Sequence, residues 1–152
     1  MWNLDVRYTQ GLNDFVVNFM TVFHKMYQED KDKAEALTFW CFASFVELNS
    51  SGLIAENLMD KQNLELPKIF EVIEKFHPAC AKWLRMNNVD DLSFLISSFI
   101  LAYGRSFSHE SVSRVWEALV CVPAPWLFLR FFSASLVILS FPSFQQIPNC
   151  ST

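Results

Sequence analysis

Apolar residues recur at helical spacing along almost the whole chain, and strand-like alternation is nowhere sustained. That regularity narrows the fold to helix packed on helix. Phe15, Phe19, Val22 and Met26 keep one face from residue 14 to about 27. Leu37, Trp40, Cys41, Ser44 and Leu48 do the same beyond QEDKDKAE, a charged stretch that reads as a solvated loop. Ile69, Val72, Ile73 and Phe76 form a third stripe at i, i+3, i+4 and i+7, opened by Pro67 at a first-turn position and closed by His77-Pro78. Three more helices follow. One is short, from Ala79 to Met86; one covers DDLSFLISSFILAY, with Asp90 and Asp91 as caps at the positive end of its dipole; one runs through Val112, Val115, Trp116 and Leu119 behind Ser108 as N-cap. The expectation is an all-α, multi-helix array of six or seven helices, with Trp40, Phe45, Ile73, Phe94, Phe99, Trp116 and Leu119 in its core.

The segment PWLFLRFFSASLVILSFP, from Pro125 to Pro142, looks at first like a membrane span. Arg130 stands near its start, and the uncharged run from Phe131 to Phe141 is eleven residues, against roughly 20 needed to cross a bilayer core. A buried helix is expected, and no transmembrane segment. The domain should close at residue 141, leaving 142–152 as a polar, frayed tail.

Several function classes can be set aside. A net charge of -4 supplies no excess of Lys and Arg for phosphates, which argues against a nucleic-acid partner. The three glycines, Gly11, Gly52 and Gly104, make neither G-x-x-x-x-G-K-[ST] nor G-x-G-x-x-G, and no G-x-S-x-G elbow is present. Cys41, Cys80, Cys121 and Cys150 are widely spaced without C-x-x-C, and a charged start replaces a signal region, so a reduced, cytoplasmic setting is expected. His77 and Cys80 form H-x-x-C, but no second pair completes four zinc ligands, and no metal is expected. Hydrophobic residues make up 52% of the chain, with sixteen phenylalanines, more than a soluble domain of this size usually needs. Some apolar surface is therefore expected to lack its cover.

The opening polar cluster gives the sharpest functional signal. YTQGLND, from Tyr8 to Asp14, resembles the Y-x-Q-G-x-N-D signature of TBC domains, the family of GTPase-activating proteins for Rab GTPases. Later landmarks follow in the family's order: ALTFWCFASFVE is similar to its F-W-C-F helix, NNVDDLSFLISSFILAYGRSF to its helix ending in a basic residue and phenylalanine, and SHESVSRVWEAL to its L-R-L-W-[DE]-x-L helix. The similarity runs from about residue 7 to 139.

The resemblance implies a partial TBC domain over residues 1–141 and a role for Gln10. Family members insert two fingers into the GTPase site, an arginine from I-x-x-D-x-x-R and the glutamine of Y-x-Q, and Gln10 falls on the latter. An amide suits the work: its carbonyl accepts from the attacking water while its N–H groups donate elsewhere, with no proton gained or lost. Tyr8 would brace the loop, Gly11 would allow close backbone approach, and Asn13 or Asp14 would cap the following helix. The chain would need no cofactor of its own, since GTP and Mg2+ would be held by the Rab partner. Cytoplasmic placement on endomembranes, with peripheral membrane association through the Rab, and a part in vesicle trafficking follow from the same resemblance. The arginine motif is expected several tens of residues upstream of Y-x-Q-G, yet Asp5 and Arg7 in LDVR are one residue apart and do not make D-x-x-R. The domain therefore reads as truncated on its N-terminal side, and as weak or inactive in isolation. The alternative is a non-catalytic Rab-interaction module or a degenerate product of a truncated gene; a small membrane-associated protein anchored by residues 125–142 is a third reading.

Overall fold

The computed structural model describes residues 12–48 and 58–146. They form α1 (Leu12–Met26), α2 (Lys31–Leu48), α3 (Leu58–Phe76), α4 (Pro78–Met86), a 3-10 turn (Ser93–Leu95), α5 (Ile96–Ile100), α6 (His109–Cys121) and α7 (Pro125–Phe144), with no strand among the described residues. The all-α expectation holds. Two compact units divide these elements. The first holds α1, α2, α6 and the turn after α5; the second holds α3, α4, the 3-10 turn and α7.

The first unit is built on aromatic packing. Phe15 and Phe19 lie one helical turn apart on α1 and meet Phe45 of α2 and Trp116 of α6. The Trp116 ring centroid stands 4.9 Å from that of Phe15 and 5.5 Å from that of Phe45. Each such pair adds about 0.5–1.5 kcal/mol beyond burial. Between α1 and α2 the charged stretch is shorter as a loop than its composition suggests. Lys31 to Lys33 already form the first turn of α2, because the Asp30 carboxylate accepts from the Lys33 N–H at 3.0 Å and so caps it. The stripe that α2 buries also differs from the expected one. Ala34, Thr38, Phe45 and Val46 are buried, whereas Trp40 keeps 60% of its surface exposed and Ser44 is exposed. Trp40 packs edge-on against Phe39, its neighbour on the outer face, at 5.2 Å.

In the second unit α3 runs through Pro67 rather than starting near it, without an N–H there for the carbonyl four residues back. It stops at Phe76 as expected, because His77 turns the chain out of helical geometry and caps α4. The His77 Nδ1 accepts from the Cys80 N–H at 3.1 Å. Burial alone pushes the Cys80 thiol pKa up. Glu65 of α3 receives Lys68 at 2.8 Å and Arg130 of α7 at 2.7 Å. Burial pushes the Glu65 carboxyl up, but the hydrogen bonds from Lys68 and Arg130, reinforced by both positive charges, outweigh it and hold the group below its ordinary value. Arg130, the charge that interrupts the apolar run, is thereby matched.

Two further expectations need correction. The segment DDLSFLISSFILAY is no single helix: Leu92 adopts a left-handed conformation with φ 53°, a 3-10 turn follows, and α5 ends at Ile100. Asp91 does cap, its Oδ1 accepting from the Ser93 N–H at 3.1 Å, but Phe94 is 47% exposed. Phe45, Ile73, Phe99, Trp116 and Leu119 are buried as expected. The apolar run at the end forms α7, a helix of 20 residues that passes through Pro142 to Phe144. Its length and composition would let it cross a membrane, a test that the core helix of a soluble protein also passes. Leu129, Ser133, Ala134, Val137 and Phe141 form its buried stripe, while Leu127, Phe131 and Leu139 face outward.

Candidate functional site

Gln10 precedes the first residue of α1 by two positions in the sequence. Tyr8, Gln10 and Gly11 lie outside the described residues. Asn13 and Asp14 do not lie ahead of the helix, where an N-cap would stand; both are within its first turn. Asn13 is exposed. Asp14 brings a negative charge to the positive end of the helix dipole, which is favourable there. Its two oxygens, however, are taken by a distant arginine. Arg105 Nε donates to Oδ1 and Nη2 to Oδ2, both at 2.9 Å, a forked pair closing 91 residues of sequence.

The segment that delivers Arg105 is an unusual turn. After α5 the Ala102 N–H donates to the Phe99 carbonyl at 3.0 Å and the Tyr103 N–H to the Ser98 carbonyl at 2.7 Å. That is the Schellman pattern, which requires a left-handed residue at Ala102, where glycine is usual. Ala102 has φ 43° and Tyr103 has φ 62°, so two consecutive residues with Cβ atoms occupy the left-handed region. Both are buried. Trp116 holds the turn from α6: its Nε1–H donates to the Ala102 carbonyl at 3.1 Å inside the core. Gly104 follows, and a Cβ there would press to 3.1 Å on the Leu101 carbonyl oxygen while standing 4.0 Å from Asn18 Nδ2. Asn18 lies four residues after Asp14, on the same face of α1, and its amide donates to the Asp14 carbonyl at 3.2 Å. The turn therefore meets α1 along its first two turns.

Sequence reasoning found the polar cluster but gave Arg105 no role. The only signal for it was a basic residue beside phenylalanine in the GRSF stretch. α1, α2 and α6 also border an open cleft of about 290 Å³ with an aromatic wall of Phe19, Phe23 and Trp116. Among the described residues no three of His, Cys, Asp and Glu stand together as a metal site.

Comparison with known proteins agrees with the resemblance. The model of the Rab-GTPase-TBC domain matches residues 1–145. Human TBC1 domain family member 17 is 25% identical over 137 residues, 90% of this chain and 19% of that protein. Its mouse counterpart is 27% identical over 138 residues, 90% of the chain and 20% of the relative. Mouse TBC1 domain family member 10A is 30% identical over 83 residues, 55% of the chain and 16% of the relative. The chain thus spans a fifth or less of the length of these relatives. No solved structure matches it.

Proposed function

The chain belongs to the Rab-GTPase-TBC domain family, and from that premise we propose that it acts on Rab-family GTPases, with Gln10 as the finger that orients the attacking water. The observation that carries the reading is the join between motif and platform. YTQGLND runs straight into α1, whose inner side chains, Phe15 and Phe19, are locked against Phe45 and Trp116. A side chain that must reach into a partner's site works best from a rigid element, since misplacement by about 1 Å can cost roughly 100-fold. GTP and Mg2+ belong to the Rab in this scheme, and the protein would work at endomembranes because its partner does.

The 152 residues contain no I-x-x-D-x-x-R stretch. An arginine finger contributes roughly 10³ to 10⁵ in rate, which converts to about 4–7 kcal/mol of transition-state stabilisation. A neutral amide cannot offset the charge developing on the phosphoryl group to that extent. The reading therefore requires an arginine from outside these residues, and without one the chain serves as a Rab-interaction module.

Multiple-turnover GTP hydrolysis across a Rab panel tests this. The 152-residue chain alone should leave rates near the intrinsic value, and a version with an I-x-x-D-x-x-R segment supplied upstream should accelerate one or more Rabs by at least about 10³. In that version Gln10→Ala should remove most of the gain with Rab affinity within about twofold, because water orientation acts mainly in the transition state. Strong acceleration that survives Gln10→Ala would place the chemistry on another residue.

A further inference from the structure

We propose that the cleft bordered by α1, α2 and α6 is a binding and addition site for neutral, apolar α,β-unsaturated aldehydes, with Cys41 as the thiol that takes them up. The site lies wholly within the first unit and is independent of the Rab reading.

Three observations converge on it. The cleft, about 290 Å³ in volume, is close to the lower bound of ligand pockets, about 300 Å³, which are mostly apolar and aromatic with a few placed polar groups. Its walls have that make-up. α1 contributes Phe19, Val22 and Phe23 at i, i+3 and i+4, and α6 contributes Trp116 and Val120. The Phe19 and Trp116 rings meet edge to face at 6.0 Å, so this wall is already held by core packing.

The second observation is that two thiols far apart in sequence open onto the same cleft. Cys41 of α2 and Cys121, the last residue of α6, both line it, and neither is in a disulfide. Cys121 is exposed to any reagent in solution. Cys41 is half-buried, so a molecule that occupies the cleft has the better access to its sulfur. The third is charge. Glu117 is the only charged residue among the described lining, and its carboxylate disfavours anionic reagents, whereas a neutral chain brings no charge to desolvate.

Sulfur is a soft, polarisable nucleophile, which matches the soft β-carbon of an enal. In the addition the Cys41 thiolate bonds to the β-carbon, the π pair of the C=C bond moves to the α-carbon, and that carbon takes the proton the thiol gave up. The aldehyde is retained, nothing leaves, and no oxidant or reductant is consumed. Cys80 supplies the contrast. It is fully buried in the second unit, and burial pushes its thiol pKa up, so it lacks both access and thiolate.

Site-resolved mass mapping of the 152-residue chain after brief exposure to trans-2-nonenal or to acrolein provides the test. Both reagents carry the same reactive group, and only the first has an alkyl tail. Free N-acetylcysteine in the same solution sets the intrinsic reactivity of each. Relative to it, Cys41 should react at least about tenfold better with 2-nonenal than with acrolein, a gain that burial of a few methylene groups is enough to give. Nonanol, which fills the cleft without reacting, should suppress that gain, and Cys80 should stay unmodified. Val120→Asp, at a position exposed enough to tolerate a charge, should abolish the gain with the thermal midpoint unchanged. No gain at Cys41, an equal gain at Cys80, a gain confined to Cys121, or a gain that persists with nonanol or in Val120→Asp would each overturn the site.

Discussion

Two helices in this chain end in the same backbone device and hold it by different means. At the end of α4 the Asn88 N–H donates to the Arg85 carbonyl at 3.1 Å and the Val89 N–H to the Leu84 carbonyl at 3.0 Å, with Asn88 at φ 54°. At the end of α5 the same pair of bonds forms around Ala102 at φ 43°. Asn88 is exposed and is of the residue type that, after glycine, most readily accepts the left-handed region. Asn87 adds an amide bond to the Trp83 carbonyl at 2.8 Å, so this cap is made almost wholly from its own neighbourhood. Ala102 is fully buried, is followed by a second left-handed residue, and depends on an indole from α6. One cap is a property of local sequence; the other is imposed by the fold around it.

The largest effect that tests this contrast is at Trp116. Trp116→Ala removes the centre of the Phe15–Phe19–Phe45 cluster and the bond to the turn, and should cost about 3–5 kcal/mol in urea or thermal unfolding. Trp116→Phe separates the two contributions. It keeps a ring in the cluster but leaves the buried Ala102 carbonyl without its indole donor, which should cost about 1–3 kcal/mol. If Trp116→Phe were neutral, the α5 cap would be as self-sufficient as the α4 cap and the contrast would be lost.

The same contrast marks what sequence could and could not disclose. Helical periodicity exposed α6 because Val112, Trp116 and Leu119 repeat at fixed spacing on its buried face, and of the face read for α1 Phe15 is buried while Val22 and Met26 are exposed. Punctuation marked the starts, His77-Pro78 before α4 and Ser108, whose hydroxyl accepts from the Ser111 N–H, before α6. Nothing in FILAYGR marks Ala102 and Tyr103 as left-handed, since both residue types ordinarily avoid that region and only the surrounding core enforces it. DDLSFLISSFILAY therefore read as one helix. Trp40 and Phe94 were assigned to the core on apolarity, but exposure is decided by which face meets a neighbour, and small Ala34 and Thr38 occupy the inner face of α2 instead. At the candidate site the motif made Gln10 visible, whereas Arg105 reaches Asp14 only after 91 residues of chain have folded back.

A middle-sized test lies at the local cap. Asn88→Ala keeps the backbone bonds but places a residue with a left-handed penalty where asparagine had almost none. It should cost about 1 kcal/mol, read as a lower urea midpoint at unchanged slope. A change in slope would mean that the unfolded or native state had been altered more broadly. A loss approaching that of Trp116→Phe would show that the α4 end, too, draws on tertiary support.

The smallest effect is expected where the strain is greatest. Ala102→Gly removes the Cβ from a left-handed position, a relief of roughly 1–2 kcal/mol. Two terms oppose it. Glycine has more freedom to lose on folding, about 0.5–1 kcal/mol, and the methyl group given up is completely buried, worth up to about 0.8 kcal/mol. The sums nearly cancel, so Ala102→Gly should lie within about 0.5 kcal/mol of the parent chain despite the relief at φ 43°. Near-neutrality here, beside a clear loss in Asn88→Ala, is what a fold-imposed turn predicts: alanine is retained because its methyl packs, and the surroundings absorb the backbone cost. A stabilisation above about 1.5 kcal/mol would mean that the methyl contributes nothing. The left-handed conformation would then be held against the packing rather than by it, and the turn could no longer be regarded as a firm support for Arg105.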